Sequence, residues 1–316
     1  MISGIHHVTA IASDPQRNLD FYTNVLGLRL VKLTVNFDDP GTYHFYFGDE
    51  AGRPGTILTF FLWPDARRGR HGNGQVGVTA FSIPVGSIGY WQERLIAHGV
   101  TASEPKTRFD DEVLSFVDPD GMRLELVAHL RGEAHSPWNA GSVSATHAIR
   151  GFHGAALWVR EAEPTIELLV DAFGFKLVRE AGERYRFKAE SDQMGAFVDV
   201  VIQPNEPYGR MGAGAVHHVA WRIANDDEQL IWRQKLLTLG YNVTPVMDRQ
   251  YFHSIYFREP GRALFEIATD PPGFTWDEPV EGLGSGLKLP PWLEPRRAEI
   301  ERILPAIRLP VEASGD

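Results

Sequence analysis

GIHHVTAIASDPQRNLDFYTNVLGLRLVKLTVNFDDPGTYHFYFGDEAGRPGTILTFF, residues 4–61, reads as a strand, a helix and three more strands. GIHHVTAI is the first strand and DPQRNLDFYTNVLG the helix, and GLRLVKLTV, TYHFYFGD and GTILTFFLW are strands parted by turn residues. The same order recurs from residue 76 as VGVTAFSIP, SIGYWQERLIAHG, VTASEP, EVLSFVDPDG and MRLELVAHL. From 150 it runs RGFHGAALWV, EPTIELLVDAFG, FKLVRE, RYRFKAE and GAFVDVVIQ, and from 214 GAVHHVAWRI, DEQLIWRQKLLTLG, YNVTPV, HSIYFREPG and RALFEIATD. Every helix stops at a glycine: Gly27, Gly99, Gly174 and Gly240. Four repeats of one βαβββ unit are therefore expected. A single unit exposes one sheet face, so units should pair into curved half-barrels around a cavity. The expected class is α+β, four βαβββ modules in two half-barrel domains. Residues 1–145 hold modules one and two, 146–270 modules three and four, and 271–316 a tail packed on the body.

The 316 residues are 43% hydrophobic and 23% charged, as in ordinary globular proteins. A net charge of −10 argues against nucleic-acid and anionic-membrane partners, which want a basic surface. The absence of cysteine excludes disulfides, thiolate metal ligands and cysteine nucleophiles, leaving nitrogen and oxygen to hold any metal. The opening MISGIHHVTAIASD lacks the basic start and apolar run of a signal peptide, and no segment reaches a membrane span's length, so a cytoplasmic enzyme is expected.

The repeat pattern resembles the vicinal-oxygen-chelate superfamily, which includes glyoxalases and extradiol dioxygenases, over about residues 2–270. Aligning the units on their first strands brings His7, Val78, Gly154 and His218 to one position; aligning the last strands does the same for Thr59, Glu125, Asp199 and Glu266. Pairing unit one with two yields His7 and Glu125; three with four yields His218, Glu266 and Asp199. Pairing one with four yields His7, His218 and Glu266, with Thr59 leaving the fourth corner open. Two histidines and a carboxylate with free positions form the facial triad of non-haem iron(II) oxygenases, so this pairing is preferred. Units two and three would then make a metal-free structural half. Glu266 interrupts the apolar run ALFEIA, where an ionised carboxylate is costly unless it is paired or binds metal.

GIHHVTA, GAVHHVAW, DRQYFHSIYFREPGRALFEIA and GFTWDEP resemble, more narrowly, the hydroquinone- and chlorohydroquinone-cleaving ring dioxygenases. That resemblance implies iron(II) on His7, His218 and Glu266, a small aromatic substrate with dioxygen, and a homodimer; manganese(II) suits the same ligands. It implies that Tyr256 hydrogen-bonds a substrate oxygen and that His217 reaches the substrate as an acid–base group. On a regular strand, however, His6 and His217 face away from His7 and His218, so the role of His217 requires local strand distortion. Arg249, just before the strand of Tyr256, is a candidate to hold substrate oxygen, and Thr9, on the face of His7, a candidate substrate contact; His253 reads as surface. Catechol-type extradiol enzymes take a histidine from the third unit, where Gly154 stands. The competing readings are a glyoxalase-like metal-dependent lyase or isomerase, disfavoured by Thr59 in place of a second carboxylate, and a non-catalytic small-molecule binding protein.

DARRGRHGNGQ, 65–75, reads as a flexible connection, and 131–150 as the linker between halves. The tail breaks the repeat; EPRRAEIERIL is amphipathic, and Phe274 or Trp276 is expected to narrow access if the tail covers the cavity mouth.

Overall fold

A computed structural model describes residues 1–130, 137–138 and 140–310; the rest of the linker and residues 311–316 of the tail lie outside the described residues. Unit one holds β1 (Ile5–Ala12), β2 (Arg29–Asn36), β3 (Asp39–Gly48) and β4 (Ile57–Leu62). Unit two holds β5 (Gln75–Ile83), β6 (Lys106–Arg108), β7 (Asp111–Val117) and β8 (Arg123–Ala128). Unit three holds β9 (Phe152–Val159), β10 (Lys176–Ala181), β11 (Arg184–Lys188) and β12 (Phe197–Ile202). Unit four holds β13 (Val216–Ile223), β14 (Met247–Asp248), β15 (Phe252–Arg258) and β16 (Leu264–Pro272). A helix follows the first strand of each unit: α1 (Pro15–Asp20), α2 (Ile88–Ala97), α3 (Glu163–Glu167) and α4 (Asp226–Thr238).

The strands make two curled eight-stranded sheets, ordered β14-β15-β16-β13-β1-β4-β3-β2 and β10-β11-β12-β9-β5-β8-β7-β6. Unit one thus joins unit four through antiparallel β1 and β13, and unit two joins unit three through β5 and β9. Within each unit the last strand lies parallel beside the first. One apolar core is continuous through both sheets, with Trp91 of α2 and Trp232 of α4 seating their helices on it.

Several local features differ from expectation. The regular helix is shorter in units one and three, because α1 and α3 loosen into π turns at Phe21–Val25 and Leu168–Ala172. There the Leu26 amide donates to the Phe21 carbonyl and that of Phe173 to Leu168, five residues back. The helix-end glycines all adopt positive φ, from 70° at Gly27 to 86° at Gly240. VTASEP and YNVTPV are nearly stripped of ladder pairing: Ala102 makes one isolated bridge, to Phe116, and Thr244 pairs with Tyr256. Pro105 and Pro245 have no amide to offer a ladder. The 65–75 connection is not a free linker. Arg70 pairs with Arg210 and Arg68 with Ala213 in the matching connection of units three and four. Asn73 Nδ2 donates to the carbonyls of Gln203 and Glu206. A side chain at Gly72 would place its Cβ 2.3 Å from the Pro207 carbonyl, so the glycines there permit contact between the two connections.

The inward face of the second sheet is filled by ions. Arg108 holds both oxygens of Glu125 at 2.5 and 2.8 Å, and Arg184 and Arg186 hold Asp199 at 2.6 and 2.8 Å. The space left among them is only about 10 Å³. The tail covers β2, the outer edge of the first sheet: Lys288 donates its amide to the Leu33 carbonyl, and Thr34 Oγ1 donates to that of Lys288. An unpaired edge strand invites aggregation, and this one is capped by its own chain. Beneath the tail, fully buried Lys32 reaches the Phe274 carbonyl at 3.2 Å, Asp277 at 2.6 Å and Glu278. No helix among the described residues is long and apolar enough to cross a membrane.

Removing one partner of a buried ion pair strands the other, at about 3–5 kcal/mol. Lys32→Met is expected to lose that much in urea unfolding at pH 7 and to expose the tail to limited proteolysis. Asp199→Asn is expected to lose a similar amount with a pH signature. Burial raises the Asp199 carboxyl, but Arg186 and Arg184 outweigh it and hold it below the ordinary range. Its contribution is therefore full above an unfolded pKa of about 4 and fades as pH falls through the lower native value. The gap between wild type and Asp199→Asn should be flat from pH 8 to 5 and narrow below pH 4.

Candidate metal centre

The seam between β1 and β13 sets the geometry. Thr9 lies opposite His218 and His7 opposite Ala220, while on the far side of β13 Ala220 lies opposite Glu266 of β16. His7, Ala220 and Glu266 therefore form one row across three strands, and alternation puts His218 on the same face as Ala220. The small Ala220 between them leaves the space into which the larger side chains converge.

His7 Nε2 lies 3.3 Å and His218 Nε2 2.8 Å from Glu266 Oε2, and the three donor atoms fall within 4.8 Å of one another. Among the described residues this is the one cluster of three or more His, Asp or Glu donors so placed. All three side chains are buried, Glu266 completely. Ser254 Oγ donates to Glu266 Oε1, whereas buried Oε2 faces only the two imidazole Nε2 atoms, with no well-aligned hydrogen bond. Such an orphaned oxygen is costly by itself. Burial would raise the Glu266 carboxyl, but the imidazoles of His7 and His218 outweigh it and hold it well below the ordinary range. Burial pushes His218 down despite the opposing pull of Glu266. An ionised carboxylate facing two imidazole nitrogens is a fitting donor set for a divalent cation.

The histidine doublets break the alternation of their strands. The β1–β13 register slips between Ile5 and His7, and again between Thr9 and Ala10, leaving His6 and His217 as extra residues in bulges. His6 Nδ1 lies 2.9 Å from His7 Nδ1, and His217 Nδ1 lies 2.7 Å from His218 Nδ1. The distortion that His217 requires is thus present, and His217 lines the cavity. His6 does not; it is buried against Phe252. A cation on Nε2 of His7 and His218 would leave Nδ1 protonated, donating to His6 and His217 and setting the ring angle. His217 is pushed down to about 3 by burial and then by His218, so it is a neutral imidazole.

The cavity above the cluster has a volume of about 250 Å³. Phe37, Phe61, Trp63, Phe252 and Leu264 supply its apolar wall. Tyr256 lies opposite Glu266 on β15 and accepts from Arg249 Nε at 3.2 Å, while Arg249 Nη1 reaches Asp38 at 3.0 Å on the rim. Burial, then Glu266, raise the Tyr256 phenol, with Arg249 opposing, so it keeps its proton. Thr9 lines the cavity and accepts from Thr59 Oγ1 at 2.9 Å. Of the residues singled out in the sequence, His7, His217, His218, Glu266, Tyr256, Arg249 and Thr9 are gathered here. His253 is not: it pairs with Asp226 at 2.6 Å, outside the cavity lining. Phe274 and Trp276 also lie away from the lining. Phe274 is buried against Tyr46 and Tyr251, and Trp276 is 59% exposed. The sequence reading missed His44, Tyr46 and Asp38, all on the cavity wall. Carrying the unit alignment into the third strand would have found Tyr46, which faces Thr59 as Tyr256 faces Glu266.

A family model described as "Glyoxalase/Bleomycin resistance protein/Dioxygenase superfamily" matches residues 4–126 and 151–277. The chain is 50% identical, over 95% of each chain, to the Bacillus subtilis (strain 168) protein named "Putative ring-cleaving dioxygenase MhqO". It is 36% identical, over 96% of each, to the chlorohydroquinone/hydroquinone 1,2-dioxygenase of Sphingobium indicum. A crystal structure named as a putative dioxygenase from Bacillus subtilis superposes with a TM-score of 0.94 at 48% identity, over 98% of both chains. With the family match spanning all four repeats and these relatives matched nearly end to end, the chain belongs to the glyoxalase/bleomycin resistance protein/dioxygenase superfamily.

Proposed function

We propose that this protein is an iron(II)-dependent ring-cleaving dioxygenase acting on hydroquinones or related diphenols. The observation that carries the reading is the buried Glu266 oxygen that faces His7 and His218 alone beneath an aromatic-walled cavity. Its relatives' names point the same way. Held by these three residues, iron(II) would supply one-electron chemistry between an aromatic ring and dioxygen. Manganese(II) fits the same donors.

The protein groups divide the remaining work. The cavity is smaller than the roughly 300–1,000 Å³ of sites for drug-sized ligands, which favours a single ring over fused ones. Phe61 and Trp63 pack against that ring and keep bulk water out. Tyr256, protonated and fixed by Arg249, donates to a ring oxygen, and the guanidinium offsets negative charge developing there. His217, held by His218, presents an Nε2 proton and takes part in proton transfer at the substrate. Thr9 lines the cavity from the unit-one side, beside Thr59.

Anaerobically iron-loaded protein is expected to take up dioxygen with hydroquinone and form a ring-opened product. No uptake with any catechol or para-hydroquinone, at full iron occupancy, overturns the reading. His7→Ala and His218→Ala are each expected to lose stoichiometric iron; retention by both rules out the proposed cross-unit centre. Tyr256→Phe is expected to keep its iron while kcat falls by about 10²–10³, as for loss of one oxyanion donor.

A further inference from the structure

The corner opposite Glu266 is built from equivalent positions but carries no carboxylate. Thr59 pairs with Thr9 as Glu266 pairs with Ala220, and Tyr46 faces Thr59 as Tyr256 faces Glu266. His44, paired with Phe61, occupies the place of Ser254, which is paired with Ala268. Ser254 holds the carboxylate on one side; on the other, His44 Nε2 lies 2.8 Å from Thr59 Oγ1. His44 Nδ1 lies 3.0 Å from Tyr46 Oη, and Thr59 Oγ1 donates to Thr9 Oγ1 at 2.9 Å. All four side chains are buried.

These contacts run in one direction. Burial pushes the Tyr46 phenol well up and the His44 imidazole well down, so Tyr46 keeps its proton and His44 is neutral. Thr59 donates onward to Thr9, so its oxygen takes the Nε2 proton of His44, and Nδ1 is left to accept from Tyr46. The Thr9 hydroxyl accepts from within the wall, and its own proton is left for the cavity it lines. We propose that Tyr46, His44 and Thr59 form a one-way hydrogen-bond chain that fixes the Thr9 hydroxyl as a donor into the corner without a protein ligand, where it favours the dioxygen half of the reaction. His44 and Tyr46 are positioning residues in this scheme. The groups that meet the ring oxygen, Tyr256 and Arg249, belong to unit four, whereas the chain belongs wholly to unit one. The inference rests on the metal and dioxygen of the proposed function.

The test uses iron-loaded Thr9→Val, Thr59→Val and His44→Phe, together with the double variant Thr9→Val/Thr59→Val. Thr59→Val is nearly isosteric, so it interrupts the chain even where His44→Phe fails to fold. Nitric oxide, added anaerobically, probes the open corner by electron paramagnetic resonance without turnover. Expected results are a KM for dioxygen raised about tenfold, the loss of one hydrogen bond, an unchanged KM for hydroquinone, and an altered nitric oxide spectrum. The double variant should be no worse than Thr9→Val. A wild-type spectrum and dioxygen KM in Thr59→Val overturn the chain, as do effects of Thr9→Val and Thr59→Val that multiply, or that fall on hydroquinone KM instead. Wild-type protein that binds iron but consumes no dioxygen removes the proposed function, while the nitric oxide spectra still decide the chain.

Discussion

The antiparallel pairing of β1 with β13 is the contact on which the candidate centre depends. It brings together strands from the two ends of the repeat array and sets His7, Ala220 and Glu266 in one row. A slip of one residue would turn one histidine away from Glu266, because side chains alternate along a strand. The two bulges help hold that register, since each extra residue fits one alignment of the pair. They also place His6 and His217 against the Nδ1 atoms of the histidines they precede. The seam therefore supplies both the donor atoms and the groups that orient two of them.

The two sheets show what the same scaffold does with a different filling. At the last-strand positions stand Thr59, Glu125, Asp199 and Glu266. In the second sheet the carboxylates are met by three arginines, and the cavity closes into an ion network. In the first sheet Glu266 meets two imidazoles and no guanidinium, and its Oε2 faces both rings. Burial is similar on both sides, and the partner decides whether a buried carboxylate is structural or available.

The four-unit plan was readable because order, helix-end glycine and apolar spacing recur together, and each reflects local chemistry. The first-with-fourth pairing was readable because it alone gathers two histidines with a carboxylate and leaves a corner open. What escaped the sequence depended on distant partners. A bulge adds one residue without changing composition, so spacing could not supply the strand distortion that the role of His217 required. His44 stood in an apolar run, TYHFYFG, and its meaning came from Thr59, fifteen residues away. The glycines of 65–75 read as freedom, but at Gly72 the reason is close approach to a second connection. The tail could be placed only once β2 was known to be an edge.

The sheet order has a consequence for synthesis. The seams are nested: β5 with β9 lies inside the interval that β1 with β13 must close. As the chain leaves the ribosome, the inner sheet has all its strands while β1 still lacks its neighbour. At about 5–20 residues per second, β1 waits on the order of 10–40 s for β13 to be made. Through that interval it offers an unpaired, apolar edge to other nascent chains, and a neighbour's β13 is the strand whose sequence fits it best.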